Sequence, residues 1–150
     1  MINSTNPFLW RIMLRFHPAY RGTGGRVTHI APDWSEIHVE IPLNFRTWNY
    51  VGTIFGGSMY GAVDPFYMIM LIKRLGRDYI VWDKQAEIKF LKPGRKTLKA
   101  EFLLPDNEVQ VVKGLLETNH AIDRNYMVDL VDLDGILCAQ VSKTIYIRKR

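Results

Sequence analysis

Asn49-Tyr-Val-Gly52-Thr-Ile-Phe55-Gly56-Gly57-Ser-Met-Tyr60-Gly61-Ala-Val-Asp64-Pro65 is the stretch on which the reading of this chain turns. Small residues gather at Gly52, Gly56, Gly57, Ser58 and Gly61, then give way to an uninterrupted apolar run over residues 66–72. A glycine pair opening a helix leaves backbone N–H groups without intrahelical acceptors, turned toward whatever lies in front of them. Asp64 is the one carboxylate in this otherwise uncharged stretch. Such an acid must be solvated, paired or put to chemical use. The combination marks a candidate site.

Residues 66–75 are apolar nearly all round until Lys73 and Arg74, and Gly76 follows as a C-terminal cap. A helix without a polar face is a buried helix. Before it, residues 26–31 and 36–41 read as a hairpin turning at Pro32-Asp33; Ile37, Val39 and Ile41 alternate with His38 and Glu40. After it come strands over residues 79–91, 98–104, 126–132 and 136–147. In the first of these Asp83, Gln85, Glu87 and Lys89 alternate, and Asp134-Gly135 is a hairpin turn before the last. A helix over residues 106–117 is predicted, with Asp106 as its cap and Val109, Val112 and Leu116 on one face. The sum is an α+β chain: two strands, one wholly apolar helix, four strands. A single buried helix needs cover on all sides, and a strongly curved antiparallel sheet supplies it.

The 150 residues suit one domain, 1–150, with ordinary proportions of apolar and charged residues. A net charge of +5 favours anionic small molecules and is too weak to indicate nucleic acid. Lys92, Arg95, Lys96 and Lys99 form a basic cluster around a turn, open to a phosphate or simply solvated. Cys138, the sole cysteine, excludes an intrachain disulfide and reads as a small core residue. No metal-ligand spacing joins His17, His29, His38 and His120. Residues 7–16 form a short helix whose Phe8, Trp10 and Phe16 are expected to pack on the body or a partner subunit. Neither a signal peptide nor a membrane span is read, so a cytoplasmic protein with no membrane partner is expected.

Asn49, Gly52-Thr-Ile-Phe55-Gly56-Gly57 and Asp64 resemble, in order and spacing, the hotdog-fold acyl-CoA thioesterases of the branch related to the phenylacetate-pathway enzyme. Those proteins carry Asn, then Gly-x-x-His-Gly-Gly, then an acid nine residues after the His. Phe90-Leu91-Lys92-Pro93 resembles their Phe-Leu-Arg-Pro, and the whole central segment is similar to a set of uncharacterised bacterial hotdog proteins, over roughly residues 10–147. The resemblance implies an α+β hotdog fold, a sheet wrapped around a central helix. It implies that the Gly56 N–H points at a thioester carbonyl and that Asn49 lies near that carbonyl or orients a water. Asp64 would act as nucleophile or general base, and no cofactor is implied beyond the coenzyme A of the substrate. Gly57, Phe55, Tyr60, Met68 and Asp83 would lie around the substrate. The chain departs from the pattern at Phe55, where the family has His, and at Met68, where several thioesterases have Ser or Thr.

Each of these residues also has a plain structural reading. Asp64 would cap the buried helix with Pro65 at its first position. Gly56-Gly57 would allow close packing. Asn49 would cap a turn, and Asp83 would pair with Lys84 or with a partner-chain arginine. Geometry constrains the catalytic reading further. If a helix runs from Gly56, Asp64 lies about 12 Å along it at about 1.5 Å per residue, too far to share one carbonyl. Two chains related by a two-fold axis can bring the two groups together, so the site requires a dimer, free or paired into a tetramer. The functions in view are an acyl-thioester hydrolase, a non-catalytic acyl-CoA or lipid-binding protein, a structural module, and a dehydratase; the last normally needs a His–acid pair, and the motif holds no histidine.

Overall fold

The computed structural model describes residues 6–150. Helix α1 (Pro7–Phe16) opens on Asn6, whose side chain accepts a hydrogen bond from the Phe8 N–H, and α2 (Pro18–Gly22) follows a break at His17. Then come β1 (Arg26–Ile30), β2 (Glu36–Ile41), α3 (Gly56–Gly61), α4 (Phe66–Leu75), β3 (Tyr79–Phe90), β4 (Leu98–Leu103), α5 (Asp106–Thr118), β5 (Ala121–Asp132) and β6 (Leu137–Lys149). The strands form one antiparallel sheet in the order β1-β2-β4-β5-β6-β3.

Helix α4 lies against the concave side of this sheet. Phe66, Met70 and Leu71 are fully buried, and the Phe66 ring sits 5.2 Å from Phe102 and edge-on to Tyr20. The inward rows of β2, β4 and β6 (Ile37, Val39, Ile41; Leu98, Ala100, Phe102; Val141, Ile145, Ile147) complete the core. The apolar character of α4 therefore has the cause expected from its sequence. The β4–β5 ladder is only two pairs long, Leu98↔Asp132 and Lys99↔Val131. The sheet can curl at that weak seam, and α5 closes over it with Val109, Val112 and Leu116 inward.

Four expectations need correction. The central helical segment is two helices, α3 and α4, separated by a turn at residues 62–65. Pro65 carries no N–H to continue the ladder, and it takes the N-cap place of α4 itself, so Asp64 is not that cap. Asp106 does not cap α5; Pro105 holds the cap position and Asp106 pairs with Arg74. Strand β5 begins at Ala121, not near 126, because its polar start, Asp123-Arg124-Asn125, is held by the full β6 ladder. Finally, β3 carries a bulge between Asp83 and Gln85. A bulge shifts the alternation by one residue. Val81 and Asp83 stand opposite the inward Ile147 and Ile145, whereas beyond the bulge Ala86 and Ile88, not Gln85 and Glu87, stand opposite the inward Lys143 and Val141.

Phe66 is the keystone of this packing. Replacing it with Ala is expected to cost about 3–5 kcal/mol in a urea melt, the range for a large buried aromatic; a loss below about 1 kcal/mol would show that α4 does not seat in the core as described.

Candidate active site

The turn between α3 and α4 presents Asp64. The Tyr60 hydroxyl, four residues earlier on the same helical face, donates to Asp64 Oδ1 at 2.6 Å. Lys143 Nζ donates to the same oxygen at 2.7 Å and also to the Asp64 backbone carbonyl. The second carboxylate oxygen, Oδ2, receives no hydrogen bond from the described residues, and the side chain is 41% exposed. Asp64 is thus anchored through one oxygen and open at the other.

Lys143 comes from the inward row of β6, between Val141 and Ile145, and its side chain is 1% exposed. Its ammonium also lies 2.9 Å from Asp83 Oδ2 on β3. One cation therefore joins two carboxylates from two different elements. Asp83 does pair with a lysine, but not with Lys84, which is turned away at the bulge and binds Asp123 at 2.6 Å. Asp83 Oδ1 is buried with no hydrogen-bond partner among the described residues. Burial pushes the Asp83 carboxyl above its usual range and the Asp64 charge pushes the same way, against the pull of Lys143. Burial likewise raises the Tyr60 hydroxyl, reinforced by its bond to Asp64, so Tyr60 remains a proton donor.

The glycine pair stands elsewhere. Gly56 borders an open cleft of about 410 Å³ together with Asn49, Ile54, Met59, Phe90 and Lys92. Asp64, Asp83, Tyr60 and Met68 do not line it. Within one chain the amide and the acid are not brought to one cavity. A Cβ on Gly56 would meet the Phe90 ring at 2.8 Å, and one on Gly57 the Phe55 ring at 2.3 Å. Close packing is therefore one reason for both glycines. Asn49 Oδ1 accepts from the Val51 and Thr53 N–H groups and its Nδ2 donates to Thr53 Oγ1, which shapes the loop before α3. Phe55, at the position of the family's His, holds the N-cap place of α3 with its ring largely exposed. Met68 packs against the rim of the core.

Sequence reasoning missed Lys143. The signal was there: Ala139, Val141, Lys143, Ile145 and Ile147 share one parity of the last strand, so its lysine occupies a core position. A buried lysine requires an acid partner.

The sequence profile of a domain of unknown function, DUF4442, matches residues 6–147. The chain belongs to the DUF4442 family. No curated protein matches it. Among solved structures it is similar to a Pseudomonas aeruginosa protein of unknown function described as a probable thioesterase (TM-score 0.83, 14% identity, 98% of this chain and 100% of that one). A Chlorobaculum tepidum protein of unknown function matches with a TM-score of 0.75 at 14% identity, over 98% and 99% of the two chains. A thioesterase from Haemophilus influenzae matches at 0.65 and 14% identity, over 91% and 87%. The DUF4442 chain has the hotdog fold of thioesterase-type proteins. At these identities the likeness fixes the fold and not the reaction.

Lys143→Met keeps the volume and removes the cation. It is expected to destabilise the fold by about 3 kcal/mol near neutral pH, since it leaves carboxylates without their counter-charge. Asp83 already has a raised folded-state pKa, and losing Lys143 raises it further. The deficit should therefore be smallest at acid pH, where the carboxyl is protonated, and should grow as pH rises through the folded value. Urea melts across that range check it; a pH-independent loss below about 1 kcal/mol would contradict the pairing.

Proposed function

We propose that this DUF4442 protein hydrolyses acyl thioesters, of coenzyme A in the first instance, at a site shared by two copies of the chain. The observation that carries the reading is the placement of the two half-sites along β3, an edge strand whose outer side pairs with no described strand. Asp83, tied to Asp64 through Lys143, stands near the middle of the strand; Phe90, against Gly56, ends it. Seven residues separate them, about 23 Å at about 3.3 Å per residue. Pairing two β3 edges antiparallel about a two-fold axis through Glu87, which keeps facing side chains on one side of the sheet, sets Asp83 of one strand beside Phe90 and Leu91 of the other. Gly56 of one subunit then approaches Asp64 of its partner, twice per dimer. An exposed 12-residue edge with Trp82, Phe90 and Leu91 on the surface is a surface that natural sheets cover.

In this site the unbonded Asp64 Oδ2 takes a proton from a water as its oxygen attacks the thioester carbonyl. The Gly56 N–H faces the oxygen that becomes negative. The C–S bond then breaks, and the thiolate leaves and is protonated. Ile54, Met59 and Phe90 suit an apolar acyl or aryl group, and Lys92 at the cleft suits a phosphate of the carrier. Resemblance to the phenylacetate-pathway branch adds support for the roles of Gly56 and Asp64.

One observation favours a second reading. Lys143 and Tyr60 both occupy Asp64 Oδ1, and Phe55 supplies no polar group. The chain would then bind acyl-CoA without turning it over. The experiment is hydrolysis of an acyl-CoA panel by wild type and Asp64→Asn. Turnover that falls at least about a hundredfold in the variant, with KM little changed, is expected. Saturable binding without turnover would establish the second reading; an equally active variant would remove Asp64 from the chemistry.

A further inference from the structure

Helix α1 packs on the body through Trp10, Met13 and Leu14; Trp10 meets Trp34 edge-on at 5.5 Å. Its other face is left uncovered by the described residues. Phe8, Ile12 and Phe16, four residues apart, form one line along that face; Leu9 flanks it on one side and Arg11 and Arg15 on the other. Phe8 and Phe16 are 64% and 65% exposed. The helix end continues into a groove of about 520 Å³ lined by Phe16, Pro18, Arg21, Gly22, Phe45 and Arg46, with the Arg46 guanidinium over the Phe45 ring. The first 32 residues of the chain contain four arginines and no aspartate or glutamate. Arg11, Arg15, Arg21 and Arg46 form no salt bridge with the described residues. Of the three aromatic residues expected to pack on the body or a partner subunit, Trp10 packs on the body, and Phe8 and Phe16 stay exposed.

We infer that α1 is an interfacial helix that docks this protein, flat, on an anionic lipid surface. A second copy is a poor occupant, because a two-fold contact through this face sets its arginines against their own kind. The proposed β3 pairing does not cover it either: α1 packs against β1, at the opposite edge of the sheet. The remaining choice is an anionic partner, and the shape selects lipid. The aromatic side chains project from a convex helix, so a protein would need a matching groove, whereas acyl chains close around them. Apolar residues on one side with arginines at the margin are the arrangement of helices that lie in the headgroup region, the arginine stems reaching along the apolar layer to phosphate. No helix among the described residues is long and apolar enough to cross a membrane, so the association is peripheral.

The test is flotation of the full-length protein with phosphatidylcholine vesicles, with and without phosphatidylglycerol. Wild type should float with the anionic vesicles and not with the neutral ones. Arg11→Gln/Arg15→Gln should weaken binding about thirtyfold, on the order of fivefold per arginine near an anionic surface. Phe8→Ser/Phe16→Ser should weaken it at least about tenfold. Both pairs are on the surface, so circular dichroism melts should be unchanged. No flotation with anionic vesicles, or flotation undiminished in both variants, would overturn the inference. So would a smaller species on sizing of Phe8→Ser/Phe16→Ser, which would give the face to a second copy.

Discussion

Lys143 carries its ammonium into the interior from the middle of β6 and sets it between Asp64, on the turn after α3, and Asp83, on the edge strand β3. Three parts of the chain that are distant in sequence are held in register by this one cation. At the α3–α4 turn Pro65 breaks the helical ladder and no capping side chain replaces it; the lysine holds the turn together with buried Ala62 and Val63 and the Tyr20 hydroxyl on the Ala62 carbonyl. A buried ammonium is costly unless both its charge and its protons are satisfied. Here Asp64 Oδ1, the Asp64 carbonyl and Asp83 Oδ2 satisfy all three protons. The arrangement also decides which Asp64 oxygen is available, because the lysine and Tyr60 both occupy Oδ1.

The bulge in β3 belongs to the same constraint. Without it Asp83 would share a face with Gln85 and Glu87, away from Lys143; with it, Asp83 turns inward and small Ala86 stands opposite the lysine. An extra residue in an edge strand therefore re-aims one carboxylate. The outer side of β3 pairs with no described strand, and the two half-sites lie along it. Fold and proposed site are linked through that edge: the strand that holds Asp83 is also the strand available to a partner.

Much of this was legible in the residues. The apolar circumference of α4, the alternation in β2 and β6, and the glycine at 76, which adopts φ 91 at the helix end, each have a local cause and are seen as expected. What was hidden depends on pairing between distant strands. The β3 bulge leaves no composition signal, since Asp83, Gln85, Glu87 and Lys89 alternate perfectly in sequence. The start of β5 reads as a polar loop, and only its ladder with β6 makes it a strand. Lys143 could be found from its parity among Val141, Ile145 and Ile147, but its partners could not, because Asp64 and Asp83 reach it only through the fold. Gly56 opens α3 and Asp64 lies in the turn after it, so the two stand along a broken helix instead of a single one.

The shared site is the central claim, and complementation between subunits tests it most directly. Asp64→Asn removes the acid. Gly56→Pro removes the N–H at the first position of α3; Phe55, at ψ 132, already has the extended backbone that a following proline requires, and the Cβ that proline adds displaces the exposed Phe90 ring. Each variant alone should be inactive toward the acyl-CoA that wild type hydrolyses. Co-refolded in equal amounts, half of the dimers carry both chains, and each of these holds one intact site. About a quarter of wild-type activity should return. A mixture as inactive as either variant alone would place the amide and the acid within one chain and contradict the account.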